Sequence, residues 1–392
     1  MRDRVAYIDG IRGWAAVVVL LFHLFWETFG ARFPEFRAGP MKLFLNGPLA
    51  VYVFFVLSGD ALATPFVMHR DPEFLARTVA RRYFRLTVPI LLSCTMVWLL
   101  MALSLNFNRA AGAVLGRQDW LGGFLNFEPS LAKMFSYVLI GVFQEYHVET
   151  AYNPFLWTMS VELLGSALTL LFLFQMNWLA KPLLVALLAV VLFWVARSYL
   201  GLFFVGISLA LLRGEGLIGR QSRHDWSAIS WLLLTGVAWA VWQQGDVAAG
   251  TVRSNTLIVI LLVVGLYANR TLRGFFGSKF SLYLGRLSFP IYLVHFAVLI
   301  SLTSWGVLQL DRIGALSATN AILLGVVTIA FSFVLGHLLA KLEKVASARV
   351  YRWLDRWVCI MQLRPDHSES RIPSVPSCSS GRVSPARGHD RR

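Results

Sequence analysis

Residues 12–30 read RGWAAVVVLLFHLFWETFG, an apolar run with Arg12 at its start and His23 in its middle. A helix needs ~20 mostly apolar residues to cross a ~30 Å hydrocarbon core, and this run is a candidate. Comparable stretches follow at approximately 46–68, 86–105, 155–175, 181–197, 199–212, 226–244, 254–269, 287–308 and 318–340. The 392 residues are 57% hydrophobic and only 15% charged, with a mean hydropathy of +0.62; a soluble domain carries about 25% charge. Aromatic residues make up 14%, with 14 Trp, an excess typical of the belts at membrane interfaces. A soluble cytosolic enzyme is excluded, and abundant apolar surface excludes a disordered chain. The expected fold is all-α, a polytopic transmembrane helical bundle of about ten spans.

The N-terminus is basic and then apolar, like a signal peptide. Phe25, Trp26 and Glu27 follow Leu24 where a cleavage site would need small residues, so the run reads as a retained first span. Residues 131–144 are apolar but too short to cross, and read as re-entrant or interfacial.

Net charge is +15. With the N-terminus in the cytoplasm and loops assigned alternately, 27 of the 36 Lys and Arg fall inside, Arg213 and Arg286 among the inner-loop charges, and 9 outside. That is the positive-inside asymmetry: it puts both termini in the cytoplasm and explains the charge with no nucleic acid partner. The longest outside segment is 106–154. A transmembrane domain is expected over 1–345. Residues 346–392 read as a basic, largely disordered cytoplasmic tail, rich in Ser, Pro and Arg from Pro365. Cys94, Cys359 and Cys378 have no metal-ligand spacing, and no zinc motif or GxSxG elbow occurs. Gly214, Gly216 and Gly219 form a GxGxxG, but in an inner loop rather than a strand–turn–helix.

Arg12 and His23 are eleven residues apart, which at 100° per residue is about 20° past three full turns. Both therefore project from one helix face, roughly 16 Å apart along the axis, with Arg12 at the cytoplasmic edge and His23 near mid-membrane. Ionisable groups at that depth are costly and mark functional sites; a histidine hydrogen-bonded to a neighbouring helix is the structural alternative. Arg82 and Arg85, in Arg81-Arg82-Tyr83-Phe84-Arg85, share a helix face at i and i+3. Their planar forks suit phosphates, the alternative being a positive-inside anchor. Glu162, in Trp157-Thr158-Met159-Ser160-Val161-Glu162, falls close to the depth of His23, where the two could form an acid–base or orienting pair. A structural Glu bonded between helices is the competing reading. Asp60, His295 and His337 are further intramembrane polar groups, Asp60 either capping a broken helix or pairing with an Arg.

Five stretches in order resemble the acyltransferase-3 family of integral-membrane acyltransferases, which acylate bacterial surface and secreted polysaccharides. They are Tyr7–Ala16 leading to His23, Val53–Gly59, Arg81–Leu86 with Pro89, Leu156–Glu162 and Leu287–His295. The resemblance implies that His23 is the catalytic base, and that Arg12, Arg82 and Arg85 serve acyl-donor binding and site architecture. Ser160, Val161 and Glu162 match the family's serine–valine–glutamate element. The chain departs from the family pattern at Asp60, where an aromatic or aliphatic residue is common, and after Glu162, where Leu163-Leu164-Gly165-Ser166 replaces a second Glu and an aromatic.

The expected activity is therefore O-acyl transfer from cytosolic acyl-CoA, acetyl-CoA above all, to a hydroxyl of a glycan acceptor: an exopolysaccharide, lipopolysaccharide or glycolipid. The catalytic residues would be His23 and Glu162. No metal is expected, and the location would be the inner (plasma) membrane, multi-pass in the lipid bilayer. Some relatives carry a fused periplasmic hydrolase-like domain; only a tail follows the tenth span here, which leaves that step to a separate periplasmic partner. The runner-up is a transporter or flippase for a glycan or acyl group, which buried charge also fits but which would release no CoA thiol. A scaffold in a polysaccharide-export complex is a third reading, under which His23 would be dispensable.

Overall fold

A computed structural model describes residues 5–70, 72–218, 226–244, 247 and 251–362. In chain order the α-helices are α1 (Ala6–Leu21), α2 (Met41–Phe44), α3 (Gly47–His69), α4 (Pro72–Ala102), α5 (Asn108–Leu115), α6 (Leu131–Leu139), α7 (Thr158–Gln175) and α8 (Pro182–Val195). They continue as α9 (Gly201–Gly214), α10 (Ser227–Gln243), α11 (Val252–Ala268), α12 (Arg270–Phe276), α13 (Lys279–Val298), α14 (Ser304–Arg312) and α15 (Ala318–Gln362). No strand occurs among the described residues.

Each of the ten expected stretches is helical, but they differ in reach. Among the described residues, six helical stretches are long and apolar enough to cross a membrane, or seven if α11 and α12, which meet at 90°, form one bent span. Helices α8 and α9 have 14 residues each, about 21 Å at 1.5 Å per residue, short of a full hydrocarbon core.

The core is built on α1, α3 and α13. Parallel helices α1 and α13 touch backbone to backbone. A Cβ on Gly13 would lie 2.4 Å from the Gly285 nitrogen, and one on Gly285 would lie 2.3 Å from the Asp9 carbonyl oxygen. Small residues let membrane helices approach this closely without losing packing. The contact fixes the register of the two helices that carry the site. Helix α3 packs on α1, α7 and α9, and α15 closes the bundle against α13 and α4.

The helices differ in detail from the expected apolar stretches. Helix α4 starts at Pro72, well before the apolar run at 86, and α15 continues to Gln362, across the expected boundary at 345. Both extensions are rich in Ala, Leu, Arg, Lys and Glu, which are strong helix formers, so the end of the apolar run does not end the helix. Residues 363–392 of the expected tail lie outside the described residues. Arg213, assigned to an inner loop by charge, is instead 4% exposed inside the bundle. Segment 106–154, the longest segment placed outside by charge, is packed on the bundle: α5 lies on α14, Phe107 N–H donates to the Ile300 carbonyl (2.7 Å), and α6 lies against α4.

Candidate active site

Two departures from α geometry mark the site. Helix α1 loosens into a π-helical turn at Phe22–Phe29, and α13 does so at Leu299–Thr303, just beyond His295. Hydroxyls five residues further along answer carbonyls in these widened turns. Thr28 donates to the His23 carbonyl (2.7 Å), Thr303 to Val298 (3.2 Å) and Ser304 to Leu299 (2.7 Å). Such single π turns are rare and concentrate at functional positions.

A histidine pair joins the two π turns, His23 lying within the first and His295 just before the second. His23 Nδ1 lies 2.9 Å from His295 Nε2, with the ring planes inclined by only 9°. The other His295 ring nitrogen, Nδ1, is 3.1 Å from the Ile291 carbonyl oxygen. Phe155 lies flat on His23, with ring centroids 3.8 Å apart, and Trp120 stands 5.9 Å from the same imidazole. His295 is 3% exposed.

Toward the N-terminal ends of α1 and α13 opens a cavity of about 260 Å³. Arg12, Arg82, Arg85 and Glu162 all line it, joined by Arg286, Asp9 and Glu343. Its inner wall is Tyr292, whose hydroxyl is 2.9 Å from the Thr158 hydroxyl and also bonds the Phe155 carbonyl. Tyr292 is also 5.9 Å from His295, ring to ring. The cavity and the histidine pair are thus neighbours across one aromatic layer, Tyr292 and Phe155, and neither histidine is among the cavity's lining residues.

Four of the five expected site residues therefore meet in one cavity, and His23 sits one layer beyond. The expected pairing of Glu162 with His23 is overturned. The Glu162 carboxylate forms an ion pair with Arg82, whose Nε donates to Ser166 Oγ at 2.9 Å. Glu162 lines the cavity and His23 does not: each is engaged by another partner, Arg82 and His295 respectively. Arg82 is correspondingly a framework cation, tied to α7, while Arg85 and Arg286 are exposed within the cavity. Arg12 keeps a buried Nε with no protein partner, a donor left for a ligand.

Sequence reasoning missed Arg286, assigned as a loop charge, and gave no role to Tyr292 or Thr158. Tyr292 was signalled by its place three residues before His295 in LSFPIYLVH (287–295), where i and i+3 share a helix face. Away from the cavity, Asp60 takes the Arg option: Arg213 grips it with both terminal nitrogens, and Tyr267 donates to its Oδ2 at 2.7 Å. His337 is exposed on α15.

A family model described as an acyltransferase domain matches residues 5–337. O-acetyltransferase PaAT-1 of Phomopsis amygdali is 26% identical over 367 residues, covering 75% of this chain and 72% of that protein. No solved structure matches. The domain match runs from the first described helix through α13 into α15, and so contains the aromatic layer, both histidines and every cavity-lining residue but Glu343. A bundle whose charged cavity adjoins a buried imidazole, matched over that length, is an acyltransferase: the chain belongs to the acyltransferase-3 family.

Proposed function

We propose that the protein transfers an acetyl group from acetyl-CoA, entering the arginine cavity from the cytosol, to a hydroxyl of a glycan at the opposite membrane face. The observation that carries this reading is the cavity itself, which gathers Arg12, Arg85 and Arg286 within one aromatic layer of His23. Guanidinium forks match phosphate oxygens and form strong charge-assisted hydrogen bonds. The volume is below the ~300–1,000 Å³ of a cleft that encloses a drug-sized ligand. It suits an extended pantetheine arm, with the nucleotide held at the mouth.

His23 acts as general base. It takes the proton of the acceptor hydroxyl as that oxygen attacks the thioester carbon, then returns it to the sulfur as the CoA thiolate leaves. The carbon–sulfur bond breaks as the carbon–oxygen bond forms, and His23 ends as it began. Protein reconstituted in nanodiscs with acetyl-CoA and the glycan fraction of its own cells tests the reaction. Release of free CoA thiol matched by glycan-bound acetyl is expected; a carrier would move label across a vesicle and release no thiol.

Donor binding has its own test. Arg85→Ala and Arg286→Ala are each expected to weaken acetyl-CoA affinity by roughly tenfold to a hundredfold, since a hydrogen bond to a charged group is worth about 1.5–3 kcal/mol. Arg82→Ala should weaken it as well, and should lower thermal stability because Glu162 loses its counter-charge. Calorimetric titration of the detergent-solubilised variants reads all three. Wild-type affinity in the first two would make them topology anchors.

The loop-charge asymmetry supports cytoplasmic termini, in the inner (plasma) membrane of the cell, with 106–154 on the outer face. A single cysteine at exposed Asp119, in a background lacking the three natural cysteines, is expected to react with an impermeant maleimide in intact cells. Labelling only after permeabilisation would invert the arrangement.

A further inference from the structure

The histidine pair contains more information than a distance. A carbonyl oxygen only accepts hydrogen bonds, so the 3.1 Å contact of His295 Nδ1 with the Ile291 carbonyl puts the proton of a neutral His295 on Nδ1. Its Nε2 then carries a lone pair. That lone pair points at His23 Nδ1, 2.9 Å away, so His23 must donate from Nδ1. A neutral imidazole has one N–H and one acceptor, which leaves the acceptor of His23 on Nε2. The tautomers are assigned here from the hydrogen-bond chain, and each link allows only one direction.

We propose that His295 is the positioning residue of the reaction: through the chain Ile291 C=O, His295, His23 it holds His23 in the tautomer whose Nε2 is the free base. This rests on the reading of His23 as general base. The arrangement does with a neutral imidazole what a carboxylate does in hydrolytic triads, where the third group sets the tautomer and steadies the imidazolium. When His23 Nε2 takes the hydroxyl proton, the positive ring still donates its Nδ1–H to His295 Nε2, and that hydrogen bond strengthens as charge develops. The proton on Nε2 then passes to the departing sulfur, and neither histidine changes its net protonation.

Of the polar side chains that follow His23 in its own turn, Glu27 is paired with Arg117 and Thr28 bonds the His23 carbonyl. Phe155 covers one face of the His23 ring, with Trp120 beyond. Neither supplies a hydrogen-bond acceptor that could replace His295. Glu162, the one carboxylate that depth suggested, is engaged by Arg82.

Glutamine and asparagine separate this role from packing. Gln places an amide oxygen near the position of Nε2 and can still accept from His23. Asn reaches the position of Nδ1 and the Ile291 carbonyl but falls short of His23. His295→Gln is therefore expected to keep most of its turnover, while His295→Asn and His295→Leu lose roughly tenfold to a hundredfold in kcat with little change in KM for acetyl-CoA. Histidine-selective 15N spectra, with the His23 signal identified by its loss in His23→Ala, should show an Nδ1-protonated ring in wild type and in His295→Gln. Both tautomers should appear in His295→Asn. Equal turnover in all three variants, or equal loss in Gln and Asn, overturns the proposal, as does an unchanged His23 tautomer in His295→Asn. If His23→Ala itself remains active, the base reading fails instead, so the two failures are distinct.

Discussion

His23→Ala is expected to yield a folded protein that binds acetyl-CoA with wild-type affinity and scarcely acylates. A glycan hydroxyl is a weak nucleophile at neutral pH and gains from a base within hydrogen-bond reach. Loss of general-base catalysis alone costs about 10²–10⁴-fold in rate. The donor grip should survive because the arginine cavity and the imidazole are separated by the Tyr292–Phe155 layer. Comparison of acetyl transfer with CoA binding in the same preparation checks both halves. A variant that binds CoA and acylates at the normal rate would falsify the base assignment.

Asp60→Ala is expected to be the most damaging change to stability. Asp60 is fully buried and Arg213 is 4% exposed. The pair is completed by Thr64, whose hydroxyl donates to Asp60 Oδ1 at 2.8 Å, and by Tyr267 on α11. One cluster thereby ties α3, α9 and α11 together in a medium where an orphaned charge finds no water. Removal of one partner of a buried ion pair costs about 3–5 kcal/mol, whereas replacement of both by apolar residues is often close to neutral. The melting temperature in detergent should fall sharply in Asp60→Ala and recover substantially in the double variant Asp60→Leu with Arg213→Met. A single variant that melts with wild type would show the pair to be dispensable. The cluster also accounts for Asp60 at a position where an aromatic or aliphatic residue is the family habit: its arginine arrives 153 residues later.

Helix content was largely legible, and so was the gathering of Arg12, Arg82, Arg85 and Glu162 at one cavity, because both follow from local patterns. Apolar run length marks a membrane helix wherever it occurs, and the Arg12–His23 spacing turns both side chains toward α13, one into the cavity and the other onto His295. Pairing was not legible. His23 and His295 lie 272 residues apart, and Arg82 and Glu162 lie 80 apart. Counting residues from a membrane edge gives depth but no direction around the helix axis, which is how Glu162 came to be matched with His23. The same counting started α4 too late and ended α15 too early, since charge stops a span without stopping a helix. Arg286 shows the converse error: a cation at a helix entrance has the same sequence signature whether it faces lipid headgroups or a cavity.

The Tyr292–Phe155 layer also bears on the electrical behaviour of the membrane. An arginine-lined cavity that reaches deep into a bundle invites water, and a continuous file of water across an energised membrane would short-circuit its ion gradient. Here Tyr292 lines the cavity, its hydroxyl held by Thr158 and the Phe155 carbonyl, with Phe124 and Trp120 packed against Phe155 behind it. Only a small uncharged group need slip past those rings for the reaction to proceed. On the proposed reaction, an acetyl group would then cross the barrier while the protein remained an insulator.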